Sequence, residues 1–417
     1  MLPRPTVRGW ALSVGGALLV VLGGLVGSVD LVRIGLVVLL LVLGAGVLVA
    51  WRAPARSRHR IDVRRTVKPN PVHVGETAQV AIHVAAADAA ARGRLAGLRF
   101  AEQAASELSG GRALRARVER GTASVDVHYQ VRAAHRGRWT LGPLVVTRSD
   151  LFGVVRAPAN LGGVAEVAVW PSIVALPVPT EALVGEPDRV ALGARSPSTD
   201  DASLRDYREG DDLRRVHWRS SARRGSLLVR SDERAGMRPV TVLLDQPARP
   251  AAVEWSISLA ASMAVAMLEA GHPVRFLGAT AMHAGDSIPG FLYSRSGPTA
   301  RAALLDPLID LVGPRTEAEA EQRLLTAVRM LQASIGGDDI VLAVLGPLSP
   351  ATRTVLARVS DSAHGWAVVR GDSRQPGEAA STENTLRSLR RAGWHAARVT
   401  TGEPMPDAWL RLLGSFR

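Results

Sequence analysis

The sequence of 417 residues contains no cysteine, and aromatic residues make up only 4% of it. The absence of cysteine excludes disulfide bonds, zinc–thiolate sites, iron–sulfur clusters and cysteine nucleophiles. Other chemical motifs are also missing: there is no Gly-x-x-x-x-Gly-Lys-Ser/Thr phosphate loop, no Gly-x-Ser-x-Gly elbow and no His-x-x-x-His pair. No two carboxylates form a recognisable acid–base pair. We therefore predict a protein that is not an enzyme and that holds no cofactor.

Positive charge is concentrated near the start of the chain. The whole sequence has a net charge of +13; residues 1–65 carry nine arginines against two acidic residues, which leaves +6 for the other 352 residues. This distribution favours contact with anionic lipid over nucleic-acid binding. The arginines expected to face lipid lie in a basic linker, residues 52–60, and are Arg52, Arg56, Arg58 and Arg60.

Two long apolar runs occupy the first 51 residues. Residues 10–29 and 34–51 contain no charge, and about 20 apolar residues span the hydrocarbon core of a bilayer. Residues 30–33 are predicted to connect them as a tight turn. Because arginines flank the outer ends of both runs, the positive-inside rule predicts a multi-pass protein of the cell membrane with cytoplasmic soluble domains. A cleaved signal peptide is the alternative, but its apolar core would be shorter and would not be followed by a second one.

The remaining chain divides into two patterns. Residues 61–170 contain alternating stretches at Thr77–Val84, Ala123–Val131 and Val164–Val169, separated by turn signals, which predict a β-sandwich. Residues 171–238 are predicted to be a connection. Residues 239–417 alternate buried strands with helices, beginning with the strand Val240–Asp245. That pattern predicts a doubly wound α/β domain with a mostly parallel sheet.

The most specific stretch is a charged segment within the connection, residues 200–234. Here Leu204 to Arg223 closely resembles the signature of the bacterial family named domain of unknown function 58, which runs Arg-x-Tyr-x-x-Gly-Asp and then Arg-x-Ile/Val-x-Trp-x-x-Ser-Ala-Arg. The resemblance extends over roughly residues 10–400. The matching residues singled out as the signature are Arg205, Tyr207, Gly210, Asp211, Arg214, Trp218, Ser221 and Arg223.

The resemblance implies a membrane hairpin, a β-sandwich and a domain similar to von Willebrand factor type A. It also implies partners, because members of this family are commonly encoded beside an AAA+ ATPase of the MoxR type and a transglutaminase-like membrane protein. The implied role is that of an adaptor or scaffold working with the ATPase through protein–protein interaction, in envelope or complex-assembly processes.

Taken residue by residue, the charged segment allows two interpretations. It holds nine arginines and six acidic residues between Arg205 and Arg234, a mixture that favours internal ion pairs over a uniform basic face. It is either a structural clamp, with Trp218 anchoring a short helix on the α/β domain, or a docking surface. Nucleic-acid binding is disfavoured because the acidic residues would repel phosphate.

Asp245 occupies the position at which a metal-binding type A domain begins its Asp-x-Ser-x-Ser motif. The sequence here is Asp245-Gln246-Pro247-Ala248-Arg249, so that both serine positions are lost and an arginine is present. A hard cation prefers several oxygen ligands. We therefore predict a degenerate site without metal, in which Asp245 pairs with an arginine or caps the following helix.

The sequence is compatible with three functions. The first is a membrane-anchored, non-enzymatic adaptor that presents the α/β domain to a partner. The alternative is an enzyme with an unrecognised site at the carboxyl ends of the strands, where doubly wound proteins bind ligands. The third is a lipid-bound structural protein whose only functional surface is the basic linker.

Overall fold

A computed structural model describes most of the chain, in two compact units, Met1–Trp170 and Pro171–Arg417. The described residues are 4–51, 61–96, 98–112, 114–150, 152–178, 204–206, 218, 221–222, 225, 228–230, 238–278, 289–293, 297–336, 339–371 and 376–414.

The first unit begins with a short strand, β1 (Arg4–Pro5), and two long apolar helices, α1 (Val7–Val26) and α2 (Val29–Trp51). Both helices are long and apolar enough to cross a membrane, and only 17% and 11% of their most apolar windows are buried within the protein. Apolar side chains that no protein covers are typical of helices surrounded by lipid. The predicted pair of N-terminal apolar helices is thus confirmed.

The turn between α1 and α2 lies earlier than the sequence analysis predicted. Gly27 ends α1 with a φ of 75°, a left-handed conformation that favours glycine, and its N–H donates to the carbonyl of Gly23. Asp30 lies in the first turn of α2, where a carboxylate is favourable beside the positive end of the helix. The prediction that residues 30–33 form the connection is wrong, because the glycine cap ends α1 before them.

Glycines allow the two helices to approach closely. A Cβ atom added at Gly35 would lie 2.6 Å from the carbonyl oxygen of Gly16, and one added at Gly23 would lie 2.8 Å from the amide nitrogen of Val32. Contacts this short exclude any larger residue at these positions. Packing within the hairpin therefore accounts for Gly16, Gly23 and Gly35.

Two mostly antiparallel sheets enclose one core in the rest of the first unit. One sheet has the order β2-β4-β7-β6, and the other has the order β1-β9-β8-β10-β3 with β5 paired to β8. Ile82 of the first sheet and Leu141 of the second belong to the same buried cluster. The elements are β2 (Ile61–Lys68), β3 (Val72–His73), β4 (Thr77–Ala86), α3 (Ala89–Ala96), β5 (Arg99–Ala104), α4 (Ser106–Ser109), β6 (Ala116–Arg120), β7 (Ser124–Arg132), β8 (Gly137–Ser149), β9 (Val155–Leu161) and β10 (Ala165–Trp170).

The second unit is built on a parallel sheet. Within the described residues its order is β14-β13-β15-β16-β17, with every neighbouring pair parallel. The strands are β11 (Leu204–Asp206), β12 (Leu228–Arg230), β13 (Val240–Leu244), β14 (Val274–Leu277), β15 (Asp339–Leu345), β16 (Ala363–Arg370) and β17 (His395–Val399), of which β11 and β12 form a separate antiparallel pair. The helices are α5 (Pro250–Glu269), α6 (Pro298–Ile309), α7 (Glu317–Ser334), α8 (Pro350–Ala357), α9 (Pro376–Arg391) and α10 (Met405–Gly414).

Both faces of the parallel sheet are covered. Leu243 and Val341 belong to a cluster with residues of α7, α8 and α9. Val242 and Leu342, which alternate with them and point to the opposite face, are also fully buried. Continuous burial explains why these strands read as unbroken apolar runs, and the predicted parallel sheet with helices is confirmed.

Helix α5 is as long as α1 and also apolar enough to cross a membrane, but 89% of its most apolar window is buried inside the second unit. It contacts β13, β14 and β15. Its apolar composition is therefore explained by its central place in the fold.

Candidate functional site

A cleft of about 720 Å³ opens at the carboxyl edge of the parallel sheet. The chain runs from β13 to its neighbour β14 on one side and later to β15 on the other, so the loops after β13 and β15 separate at this edge. Such a switch point is where doubly wound proteins bind ligands. Asp245 follows β13 directly and Gly346 follows β15, and both line the cleft.

Asp245 is held at the floor of the cleft by a buried ion pair. Its Oδ2 accepts a hydrogen bond from Arg370 Nη2 at 3.0 Å and another from the amide of Gly346 at 2.7 Å. The side chains of Arg370 and Asp245 are only 5% and 11% exposed. Burial raises the pKa of Asp245, and the Arg370 guanidinium and the Gly346 amide offset that effect only in part.

Gln246, the next residue, is also buried and engaged at both ends of its amide. Its Nε2 donates to the carbonyl of Gly278, and its Oε1 accepts from Arg323 Nη1 at 3.1 Å. Arg323 is itself fixed by Glu319 of the same helix, at 2.5 Å. Hydrogen bonds to Gly278 on one side and to Arg323 on the other therefore hold the loop after β13 in place.

The rim of the cleft carries exposed charges of both signs. Arg249 forms an ion pair with Glu378 at 3.1 Å across the opening, between the start of α5 and α9. Ser349 caps α8 by accepting from the amide of Thr352, so its hydroxyl is occupied by the fold. The other charged or amide side chains of the lining are Glu317, Glu321, Arg353 and Asn384.

These residues do not fit a hard cation at Asp245. The carboxylate oxygen that would bind the cation faces a guanidinium and an amide N–H, and the positions of the two missing serines hold Pro247 and Arg249. The interpretation that Asp245 pairs with an arginine is correct, and the partner is Arg370. Within the residues that the structure describes, no cluster of three or more His, Asp or Glu side chains has the spacing of a metal site.

The family signature is described only in part. Arg205 lies in strand β11, which pairs with β12, and the Ser221 side chain is buried. Trp218 is 64% exposed, so the prediction that it anchors a helix on the α/β domain is wrong: the exposed indole is not covered by that domain. The residues of the signature and of the basic linker that lie outside the described residues are Tyr207, Gly210, Asp211, Arg214, Arg223, Arg52, Arg56, Arg58 and Arg60.

Neither Arg370, which lines the cleft, nor Gln246, which supports the loop after β13, was predicted from the sequence. A signal for Arg370 was present, because it ends the apolar run of β16 just as Asp245 follows that of β13. Charged residues at the carboxyl ends of two buried parallel strands meet at one edge of the sheet. The role of Gln246 depends on Arg323 and Gly278, and no local pattern marks either contact.

Comparison with known proteins gives little similarity. No protein-family model and no curated protein matches the chain. Two solved structures of the PilB minor pilin from Streptococcus sanguinis align with this chain. The structure of a point mutant covers 77% of this chain with 86% of its own. The structure without the mutation covers 76% of this chain with 85% of its own. Their identities are 9% and 10%, and both TM-scores are 0.27. Similarity at this level carries no argument about fold or function.

Proposed function

We propose that the chain is a membrane-anchored, non-enzymatic adaptor whose cleft at the carboxyl edge of the parallel sheet docks a cytoplasmic protein. The observation that carries the proposal is the contrast between floor and rim. The floor carboxylate, Asp245, is engaged by Arg370 and Gly346. Behind it, Gln246 is engaged by Arg323 and Gly278. The rim instead offers exposed charges. A rigid floor with a charged rim suits recognition of a complementary surface better than acid–base chemistry.

The sheet topology supports a type A-like identity for the second unit. Leu292 forms an isolated antiparallel bridge with Val274 at the outer edge of β14. With this segment counted as a third strand, the order becomes 3-2-1-4-5-6, that of one common doubly wound arrangement. Asp245 then follows the first strand, at the position of the metal-binding aspartate, and Arg370 replaces the cation with a guanidinium.

The proposed partner is an AAA+ ATPase of the MoxR type, with a transglutaminase-like membrane protein as a further candidate. Both come from the resemblance of residues 204–223 to the signature of the domain of unknown function 58 family. In the proposed arrangement both α1 and α2 cross the cell membrane, and the β sheets of the first unit and the whole second unit lie in the cytoplasm. Arg4 before α1 and Arg8 in its first turn, against one Arg33–Asp30 pair near the turn of the hairpin, support this orientation.

A pull-down of the full chain from solubilised membranes tests the proposal. Charge reversals at the rim, Glu321→Lys and Arg353→Glu, are expected to abolish recovery of the ATPase, since like charges across an interface weaken association strongly. The matched control is Arg358→Glu, an exposed position in the turn after α8, which should leave recovery unchanged. If no variant or wild-type sample recovers an AAA+ protein, the proposal is wrong.

A small-molecule site in the same cleft is the second candidate. Its volume of about 720 Å³ lies within the usual range of ligand pockets, about 300–1,000 Å³. Buried Arg370 Nε has no hydrogen-bond partner among the described residues and is a donor for an anionic ligand. Stabilisation of the full chain by a small anionic metabolite, lost in Arg370→Met, would favour this function over docking.

A further inference from the structure

The amino terminus of α1 is hydrogen-bonded to the loop before β9, which connects it to the β sheets. Thr6 Oγ1 donates to the carbonyl of Gly153 at 2.6 Å and accepts from the amide of Gly9 as the N-cap of α1. One residue earlier in the chain, β1 pairs with β9 so that Arg4 lies opposite Arg156. The loop is thus fixed at the level of the first turn of α1.

The end of α2 reaches the same place. Val49 is buried in a cluster with Val154, Val155 and Ala157. Both ends of the hairpin therefore contact the start of β9, and this end of the β sheets lies directly beneath the apolar helices.

The geometry of the hairpin gives the depth of this loop. Helix α1 has 20 residues, and at about 1.5 Å per residue it matches a hydrocarbon thickness of about 30 Å. If α1 spans the bilayer, Thr6 lies at the boundary between hydrocarbon and headgroups. Phe152, next to Gly153, then lies among the headgroups.

The loop exposes the side chain of Phe152, of which 66% is accessible. Two backbone amides of this loop, those of Phe152 and Val155, donate hydrogen bonds to Asp150. The Oδ2 of Asp150 accepts from the amide of Phe152 at 2.9 Å, and its Oδ1 accepts from the amide of Val155 at 2.7 Å. An exposed phenyl ring costs free energy in water, and burying it in an apolar boundary recovers that cost.

Three arginines belong to the elements that meet at this loop, which are β1, the first turn of α1 and β9. Arg4, Arg8 and Arg156 are exposed, and none of them pairs with a carboxylate in the described part of the chain. Trp10, one turn into α1, is 63% exposed, as expected of an aromatic residue at the membrane interface. The patch thus combines an apolar ring with three arginines, against one carboxylate of the loop, that of Asp150.

We propose that Phe152, Arg4, Arg8 and Arg156 form a lipid-contacting site on the first unit, specific for anionic phospholipid. The phenyl ring enters the boundary between headgroups and acyl chains, and the guanidinium groups bind headgroup phosphates. The site holds the β sheets against the bilayer surface and is independent of the docking function of the cleft.

Because the chain lacks cysteine, a single labelled cysteine tests the proposal in the full protein. Phe152→Cys and the control Val164→Cys each carry an environment-sensitive fluorophore in nanodiscs of phosphatidylcholine, with or without phosphatidylglycerol. Val164 is 59% exposed and follows the opposite end of β9, about 20 Å away along the strand. Spin-labelled lipids report contact by quenching.

The expected result is quenching at position 152 and none at position 164, with an increase at position 152 when phosphatidylglycerol is present. Arg4→Gln with Arg156→Gln should remove that increase and leave the fluorescence at position 164 unchanged. Equal quenching at the two positions would overturn the site. Quenching at position 152 that ignores phosphatidylglycerol would overturn its specificity for anionic lipid.

Discussion

Among the described residues, each unit holds a buried arginine–carboxylate ion pair, and these two pairs differ in what surrounds them. In the first unit Arg65 and Glu102 meet at 2.6 Å with both side chains 6% exposed, within the β sheets. In the second unit Arg370 and Asp245 meet at 3.0 Å with similar burial, but at the floor of an open cleft. Burial and chemistry therefore do not distinguish the two pairs, whereas position in the fold does. Both pairs should control stability, and only the second should also control partner binding.

Removal of either carboxylate should have the largest effect on the stability of the protein. Glu102→Ala and Asp245→Ala each leave a buried guanidinium without a counter-charge, and arginine cannot lose its proton. Each variant should lower the free energy of unfolding of its own unit by about 3–5 kcal/mol. Hydrogen–deuterium exchange of the detergent-solubilised chain measures each unit separately. Loss of stability in the opposite unit would contradict this prediction.

Removal of either arginine should lower the free energy of unfolding by less, about 1–3 kcal/mol, the cost of a buried polar group left without its partner. Burial already raises the pKa of Glu102 and Asp245, so each carboxyl group can take up a proton once Arg65→Met or Arg370→Met removes its partner. The double variant Asp245→Ala with Arg370→Met serves as the control and should be more stable than Asp245→Ala alone. Equal losses for both members of a pair would show that protonation does not relieve the buried charge.

The change in stability with pH should be smaller than the loss caused by removing either member of a pair. With a raised pKa in the folded state, each carboxyl group binds its proton more tightly when folded, so its contribution is full below the ordinary pKa and is lost as the pH rises through the folded pKa. For Glu102 the loss begins near pH 4.5, the ordinary value. Unfolding measured across this range should show a flatter pH profile in Arg65→Met with Glu102→Leu than in the wild type. An unchanged profile would contradict the raised pKa.

Metal addition should have the smallest effect at either pair. Because Arg370 and the Gly346 amide occupy the carboxylate of Asp245, Mg²⁺ and Mn²⁺ should leave the melting temperature of both units unchanged. Scanning calorimetry of the full chain at increasing metal concentration measures the melting temperature, with Asp245→Asn as the control. Saturable binding that disappears in Asp245→Asn would show that the cleft is a cation site.

Much of the second unit was predictable because local signals agree with its fold. Helix α7, Glu317–Ser334, begins at a local signal, because Thr316 caps it by accepting from the amide of Glu319. Strand β15, Asp339–Leu345, is fully buried and is therefore a continuous apolar run in the sequence, as the predicted alternation of buried strands and helices requires. The sequence predicted that Asp245 either pairs with an arginine or caps the following helix, and the structure has the first of these arrangements.

The rest depends on contacts distant in sequence or on competing local signals. Arg370 is 125 residues from Asp245, and only the strand order brings them together. Arg65 and Glu102 were not predicted, because their meeting requires the packing of one sheet on another. The hairpin turn was misplaced because a charged tetrapeptide suggested a loop, whereas Gly27 had already ended the helix.

Site-specific photocrosslinking tests the docking function of the cleft most directly. A photoreactive amino acid placed at Glu321, exposed at the rim, is compared in native membranes with one at Ser362, exposed beside the amino end of β16. We expect mass spectrometry to find an AAA+ ATPase of the MoxR type crosslinked at position 321 and not at position 362. Crosslinking to that ATPase at both positions equally, or at neither, would contradict it.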